Sequence, residues 1–287
     1  MSELFDSNFL NKLQQLVITS KIILSDGSGG NRKSRSKGSS VEFSDYREYS
    51  PGDDYRRIDW NAFGRFEKLF VKLYMEEREA PVQILLDTSR SMSWGEPSKS
   101  IASRKLAAAL GYISLANYDR VTLACLNNTL HSFKPSLRGK NSFGELLDCL
   151  EKVEYSGTTD IYAALQAMNI KTCKGITVII SDMFTPGSFT EIIKYLQYRK
   201  QEVYLCHVLS PQETNPEITE SLRLIDSETG EYKDVTATPM LLKTYQKVYS
   251  SFITRLEDTC FRYGASYIHL KTSLPVEQMI KMVVNRQ

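Results

Sequence analysis

The run Val82-Gln-Ile-Leu-Leu86, followed at once by Asp87-Thr-Ser89-Arg-Ser91, decides the fold of this chain. A short apolar run that ends in a polar turn is typical of a buried strand, and a helical pattern follows it. Strand-like runs then recur with helical patterns between them: strands at 121–126, 176–181, 202–208 and 266–270, helices near 100–117, 141–151, 160–169, 188–200, 239–262 and 275–284. This alternation predicts an α/β fold with a mostly parallel sheet and helices on both faces.

The part of the chain that precedes this run has a different composition. Residues 3–19 place apolar side chains at helical spacing, which predicts an amphipathic helix. Residues 27–40 are basic and nearly free of apolar side chains, which predicts a solvated loop. Residues 41–80 alternate aromatic and charged side chains and include a strand-like stretch. We therefore predict two domains: an amino-terminal module of helix, basic loop and strand over 1–80, and the main domain over 81–287.

The composition excludes several classes of protein. Hydrophobic residues make up 41% of the 287 residues, so the chain can bury a core, and 36 basic against 34 acidic residues leave a charge of only +2. A binder driven by net charge is therefore not expected. The first twenty residues lack the apolar core of a signal peptide, and we expect no membrane span and a cytoplasmic protein. We expect free thiols in a reducing compartment at the five scattered cysteines, Cys125, Cys149, Cys173, Cys206 and Cys260.

Oxygen-bearing side chains follow two predicted strands and one turn. Asp87, Ser89 and Ser91 follow the first strand, Asp182 follows the strand at 176–181, and Thr159 precedes a predicted helix. Ligands of open α/β sheets bind outside the carboxyl ends of the strands, so we expect these side chains to converge. An all-oxygen set with two carboxylates suits a hard cation such as Mg²⁺ and roughly neutralises its charge.

This pattern resembles the von Willebrand factor A domain with its metal-ion-dependent adhesion site. In that family two serines coordinate the metal directly, a threonine directly or through water, and the aspartates often through water. The resemblance assigns the first role to Ser89 and Ser91, the second to Thr159 and the third to Asp87 and Asp182. It implies a von Willebrand A-like, Rossmann-like fold, Mg²⁺ with Mn²⁺ or Ca²⁺ as alternatives, and a protein partner whose Asp or Glu carboxylate completes the metal's coordination.

A second motif lies in the amino-terminal module and reads Glu42-Phe-Ser-Asp-Tyr46-Arg47-x-Tyr49-x-Pro51-Gly52-Asp53-Asp54-x-Arg56-Arg57-Ile58-Asp59-Trp60. This block resembles the bacterial domain-of-unknown-function family 58, in which it precedes a von Willebrand A-like domain. The resemblance implies an adaptor or co-chaperone of a MoxR-type AAA+ ATPase. We expect the charged residues of the block to form an ion-pair network around Trp60. Two roles stay open for the block: it staples the module to the main domain, or it docks a partner.

These features lead to a functional hypothesis and one alternative. The hypothesis is a non-enzymatic interaction module in which Mg²⁺ captures a carboxylate of a protein partner. The alternative is a metal-dependent phosphohydrolase that uses the same oxygen cluster, with Asp160 as the extra carboxylate.

Other signals in the sequence are weaker. A near match to a P-loop at 27–34 has Arg32 where the second glycine belongs, so we do not expect nucleotide binding. The same basic loop lacks stacking aromatics, so we do not expect nucleic acid as a partner. His207 and His269 lie in strand-like runs and are expected to be structural. The apolar positions of the helix at 239–262 are expected to face the core.

Overall fold

The structure is a computed structural model that describes residues 5–15, 42–75, 81–127, 130–168, 170–216, 221–227, 230–236 and 238–284. The chain divides into two compact units. The larger one combines residues 1–20 with 80–287, and the smaller one comprises residues 21–79. The basic loop at 27–40 and its P-loop-like stretch lie outside the described residues.

The amino-terminal helix, α1 over 7–15, belongs to the larger unit. It begins at Asp6, whose Oδ1 accepts a hydrogen bond of 2.8 Å from the backbone N–H of Phe9. Phe5, Phe9 and Leu13 recur every four residues and are buried in the core of that unit. The structure therefore divides the chain differently from the predicted module over 1–80, because the apolar face of α1 fills the core of the larger unit.

The smaller unit contains β1 (Glu42–Glu48), α2 (Trp60–Phe66) and β2 (Phe70–Met75), with β1 and β2 paired antiparallel. Asp59 caps α2 by accepting hydrogen bonds from the backbone N–H groups of Asn61 and Ala62. Its other oxygen accepts from the Tyr46 hydroxyl at 2.8 Å and pairs with Lys72 at 3.1 Å. These contacts, with the Tyr46 hydrogen bond foremost, lower the pKa of Asp59 to about 2.

The structure describes only some of the charged side chains of the 42–60 block, and these form separate ion pairs and helix caps. Arg47 pairs with both oxygens of Asp53 at 2.7 Å, and Asp54 instead caps a short 3₁₀ turn. Trp60 itself is 63% exposed, and no residue of the short helix α2 is buried. The ion pairs thus stabilise the hairpin and its connection, and the indole remains at the surface of the smaller unit.

The larger unit continues with β3 (Pro81–Asp87), α3 (Lys99–Ala116), β4 (Arg120–Leu126), β5 (Leu130–Arg138), α4 (Phe143–Glu151), α5 (Ile161–Met168), β6 (Gly175–Ser181), α6 (Phe189–Tyr198), β7 (Gln201–Leu209), α7 (Pro211–Thr214), β8 (Ser221–Ile225), β9 (Tyr232–Thr236), α8 (Pro239–Arg262), β10 (Ser266–Lys271) and α9 (Val276–Val284). In the described part of the chain, the central sheet has six strands in the order β10-β7-β6-β3-β4-β5. All neighbours are parallel except β5, which runs antiparallel at one edge.

Helices cover both faces of this sheet, which confirms the predicted α/β class. Ile84 and Leu86 of β3 belong to a core shared with α3, α4 and α9. Leu85, between them, belongs to the opposite core, shared with α5, α6 and α8. Successive side chains of a strand point to opposite faces, and a strand covered on both sides is apolar at successive positions. This explains why β3 reads as a continuous apolar run.

The chain leaves β3 toward β4 on one side and later returns to β6 on the other side of β3. The order of the strands therefore reverses between β3 and β6. A sheet of this kind has a crevice at such a switch point, outside the carboxyl ends of the strands. Asp87 is the last residue of β3, and Asp182 directly follows β6, so both border this crevice.

Helix α8 packs less of its surface than expected. Only Leu256 and Cys260 of its described side chains are buried, whereas Val248 is 64% and Phe261 91% exposed. The side chains of α8 that pack in the core lie in its second half, and Tyr245 in its first half donates a hydrogen bond to the backbone of α7. No helix within the described ranges combines the length and apolarity that a bilayer span needs.

Candidate metal centre

The carboxylate of Asp87 is the centre of the predicted site. It is buried at the end of β3 and accepts hydrogen bonds from the Ser181 hydroxyl at 2.6 Å and the Thr159 hydroxyl at 3.1 Å. A third bond, of 2.9 Å, comes from the backbone N–H of Ser89. Ser181 reaches Asp87 because β6 pairs in register with β3, with Ile180 opposite Leu86.

The two serines of the motif lie side by side. Ser89 precedes a 3₁₀ turn over Arg90–Ser93, and this turn brings the Ser89 and Ser91 hydroxyl oxygens to 3.0 Å from each other. Ser89 is fully buried, whereas Ser91 lines a cavity of about 410 Å³ that also contacts Asp182. The tight turn thus places the Ser89 side chain in the core and the Ser91 side chain in the wall of the cavity.

Backbone hydrogen bonds place Thr159 beside Asp87. The N–H of Ser156 donates to the carbonyl of Thr88 at 2.9 Å, and the N–H of Arg90 donates to the carbonyl of Gly157 at 3.1 Å. These two bonds join the loop before α5 to the loop after β3. Thr159 is consequently buried with its hydroxyl on the Asp87 carboxylate, so the structure brings these predicted residues together.

Asp182 holds a partner that the sequence did not reveal. Its Oδ1 accepts from the backbone N–H of Phe184 at 3.2 Å, and its Oδ2 pairs with Nζ of Lys99 at 2.9 Å. The same ammonium lies 2.5 Å from Oε1 of Glu213. Lys99 is only 1% exposed, so a buried lysine bridges two carboxylates at the wall of the cavity.

Two signals in the sequence could have indicated these residues. A lysine in the first turn of a helix, as Lys99 is in α3, opposes the helix dipole and therefore suggests a specific acidic partner. Ser210 and Glu213 form a capping box at α7, a motif visible as Ser-x-x-Glu. Neither signal shows that residues 99 and 213 meet, because 114 positions separate them in the chain.

The charges of the site shift the pKa of its members. Burial, and next the negative charge of Asp182, raise the pKa of Asp87 to about 6. Burial by itself lowers the pKa of Lys99, but the charges of Asp182 and Glu213 outweigh it and leave the pKa above its ordinary value. The site thus contains a stable ammonium beside carboxylates that are costly to ionise together.

The donor set fits a hard divalent cation. The predicted ligands supply two carboxylates and three hydroxyls, with no sulfur or nitrogen donor. Asp87, Asp182 and Glu213 against Lys99 leave two excess negative charges, which such an ion would neutralise. Among the described residues no group of three or more His, Cys, Asp and Glu side chains is arranged to hold a metal, so a metal at this position would also need the hydroxyls as ligands.

Other residues singled out from the sequence have structural contacts. The Oδ1 of Asp160 accepts from the backbone N–H of Ala163 and so caps the first turn of α5. His207 is fully buried, with its Nδ1 2.7 Å from the Tyr267 hydroxyl. Burial, and next the neighbouring His269, lower the pKa of His207 to about 3, so this imidazole is neutral.

A mostly parallel α/β sheet with an Asp-x-Ser-x-Ser turn at its switch point defines the class of this protein as a von Willebrand A-like domain. The chain belongs to the family described as "Protein of unknown function DUF58", which matches residues 45–251. The resemblance of the 42–60 block to that family is thereby confirmed.

Relatives and solved structures with similarity to this chain include three of note. The uncharacterized protein Mb1516 of Mycobacterium bovis is 22% identical over 98% of this chain and 91% of its own length. The conserved hypothetical protein BatB of Bacteroides thetaiotaomicron has 15% identity and a TM-score of 0.44, over 72% of this chain and 98% of its own. The SpRpn10 VWA domain has 9% identity and a TM-score of 0.41, over 71% of this chain and 95% of its own.

Proposed function

We propose that this protein is a non-enzymatic interaction module with a metal-ion-dependent adhesion site. The observation that supports the proposal is the convergence of Asp87, Ser89 and Thr159 from one side and Asp182 from the other, at the switch point between β3 and β6. These residues, together with Ser91, would hold Mg²⁺, with Mn²⁺ or Ca²⁺ as alternatives. A bound divalent ion would supply a Lewis-acidic position that accepts a carboxylate from outside.

The surroundings of the site favour a protein as the source of that carboxylate. The cavity beside Asp182 is also lined by Trp94, Phe184 and Ile225, and all three of these large apolar side chains are exposed. Exposed aromatic residues around a polar centre are typical of protein-binding surfaces. The partner would place an Asp or Glu on the metal and apolar side chains on this rim.

A MoxR-type AAA+ ATPase is the partner that the family resemblance suggests. In this proposal the protein acts as its adaptor or co-chaperone, and it works in the cytoplasm because the ATPase requires ATP. The proposal assigns no catalytic role to the site. Asp160, the extra carboxylate that a phosphohydrolase would use, is engaged as the cap of α5.

The first test of the proposal is titration calorimetry of Mg²⁺ and Mn²⁺ into the purified protein. We expect saturable binding at one site, lost in Ser89→Ala and in Asp87→Ala. Ser89→Ala is the gentler variant, because it removes one hydroxyl and keeps the Asp87 carboxylate with its hydrogen bonds from Ser181 and Thr159. Asp148→Ala, an exposed carboxylate of α4, is the control and should bind like the wild type.

The second test is co-purification with a MoxR-type ATPase from the same organism in the presence of Mg²⁺. We expect recovery with the wild type and with Asp148→Ala, and at least a tenfold loss with Ser89→Ala. Removal of Mg²⁺ with a chelator does not distinguish loss of the metal site from loss of nucleotide binding, because the ATPase itself needs Mg²⁺ for its nucleotide. Equal recovery with all variants would refute capture through the metal.

A further inference from the structure

Lys99 contacts a carboxylate that the proposed metal site needs. Its Nζ lies 2.9 Å from Oδ2 of Asp182, and the lysine is 1% exposed. The Oδ1 of the same carboxylate is held by the N–H of Phe184, so both oxygens of Asp182 are already bound within the protein. Each carboxylate oxygen keeps a second lone pair, but the ammonium 2.9 Å from Oδ2 repels a divalent cation that approaches the same oxygen.

The two buried carboxylates of the site explain why an ammonium lies beside them. Asp87 and Asp182 are both buried and close enough for the charge of one to raise the pKa of the other. Two such carboxylates without a counter-charge would strongly destabilise the fold. Lys99 neutralises one of them, and the protein can therefore fold around this site before any metal arrives.

Glu213 provides the second partner that an exchange would require. It lies 2.5 Å from Nζ of Lys99 and is held in place by Ser210, whose backbone N–H and hydroxyl donate to Oε2 at 2.8 and 3.0 Å. The carbonyl of Glu213 accepts from the Tyr245 hydroxyl at 2.6 Å, which anchors α7 to α8. Lys99 can therefore release Asp182 and keep an ion pair.

We propose that Lys99 and the divalent cation compete for Asp182, and that Glu213 keeps Lys99 paired when the metal is bound. This inference rests on the metal site of the proposed function and names the residue that sets its affinity. Lys99 makes metal binding conditional: the site is closed by an internal cation at low metal concentration and opens as the concentration rises. The exchange occurs in the wall of the cavity that the partner would enter.

The test compares Mg²⁺ binding by calorimetry in the wild type, Lys99→Met and Lys105→Met. Loss of the competing charge should tighten Mg²⁺ binding in Lys99→Met by about tenfold or more. Lys105→Met removes the same charge from the same helix about 9 Å farther along its axis, and should change the affinity less than about twofold. Wild-type binding with no gain in Lys99→Met would overturn the competition and leave the metal site itself standing.

Thermal unfolding adds a second readout, the rise in melting temperature on addition of Mg²⁺, which loss of a purely structural ion pair would not change. Without metal, Lys99→Met should melt below the wild type, because Asp182 and Glu213 lose their counter-charge. Saturating Mg²⁺ should raise its melting temperature more than that of the wild type, since tighter binding to the folded state stabilises more. An equal Mg²⁺ shift in both proteins would contradict the proposal.

The variant Glu213→Gln completes a double-mutant cycle with Lys99→Met. In the wild-type background, loss of Glu213 leaves Lys99 only Asp182 as a partner, so Mg²⁺ binding should weaken. In the Lys99→Met background the same change should weaken it much less. If the effects of the two substitutions on the free energy of Mg²⁺ binding simply add, Lys99 and Glu213 act independently of each other, and the exchange is refuted.

The double variant also keeps the test valid if Lys99→Met does not fold, because it removes one charge of each sign. It should bind Mg²⁺ more tightly than Glu213→Gln alone. Absence of Mg²⁺ and Mn²⁺ binding in every protein, Lys99 variants included, would refute the metal site and this inference together.

Discussion

At the scale of single residues, Asp87 accepts three hydrogen bonds in a buried environment that disfavours its negative charge. Three donors, from Ser89, Thr159 and Ser181, stabilise its ionised form, but burial and the charge of Asp182 oppose ionisation more strongly. A carboxylate held this way gains from any cation that binds it. The residue is therefore both a weak point of the metal-free fold and the natural centre of a metal site.

The pKa of Asp87 predicts how stability depends on pH. Because the folded-state pKa, about 6, lies above that of an unfolded Asp, protonation favours the folded protein. This contribution is complete below about pH 4 and is lost as the pH rises through 6. In EDTA, the free energy of unfolding of the wild type should fall relative to that of Asp87→Asn by up to about 3 kcal/mol over this range.

Urea unfolding at pH 4, 5, 6 and 7 measures this difference. Saturating Mg²⁺ should reverse the trend, because the metal binds the ionised carboxylate. A difference between the two proteins that stays constant with pH would contradict the assigned pKa.

At the scale of elements, the start of β6 shows how closely the sheet is packed. Gly175 faces the start of β3, and a Cβ at this position would lie 2.6 Å from the backbone oxygen of Pro81. It would also lie 2.9 Å from Oε1 of Gln201, a buried amide that accepts a hydrogen bond from Thr177. Backbone atoms of a central strand cannot move aside as a side chain can.

Gly175→Ala should therefore destabilise the larger unit by about 1–3 kcal/mol in urea unfolding. Gly144→Ala is the matched control, since a Cβ there meets no atom within 4 Å. Gly144 lies in α4, where alanine is the better helix former, so the control should be neutral or more stable by up to about 1 kcal/mol. Equal stability of the two variants would contradict the close approach at Pro81.

Strands of the central sheet could be predicted where their pattern is local. The predicted strands at 82–86 and 176–181 correspond to the observed strands Pro81–Asp87 and Gly175–Ser181. They could be predicted because a strand buried on both faces is a continuous apolar stretch. The edge strand Leu130–Arg138 was not predicted. It contains Pro135 and basic residues, which suit an exposed edge but hide the strand in the sequence.

At the scale of the whole molecule, α1 completes a core that lies far away in the chain. Phe5, Phe9 and Leu13 pack in the core of the larger unit, although residues 21–79 form a unit of their own between α1 and β3. Lys12 of α1 also pairs with Glu277 of α9 at 2.8 Å. The larger unit is therefore built from two separate segments of the chain.

Leu13→Ala should lower the free energy of unfolding of the larger unit by about 2–5 kcal/mol, because it removes a fully buried side chain. Gln14→Ala, one residue away and exposed, should stay within about 0.5 kcal/mol of the wild type. Urea unfolding checks both variants. A loss below about 1 kcal/mol in Leu13→Ala would show that α1 is not part of this core.

The sequence by itself determined the class of the fold and a set of five oxygen-bearing residues on three loops: Asp87, Ser89, Ser91, Thr159 and Asp182. Both follow from local patterns, since apolar runs define strands and the ends of parallel strands share one edge of a sheet. Only the tertiary structure decided that Lys99 and Glu213 enter the same site and that α1 joins the larger unit. Such contacts join residues far apart in the chain, and their energy comes from burial and charge that exist only after folding.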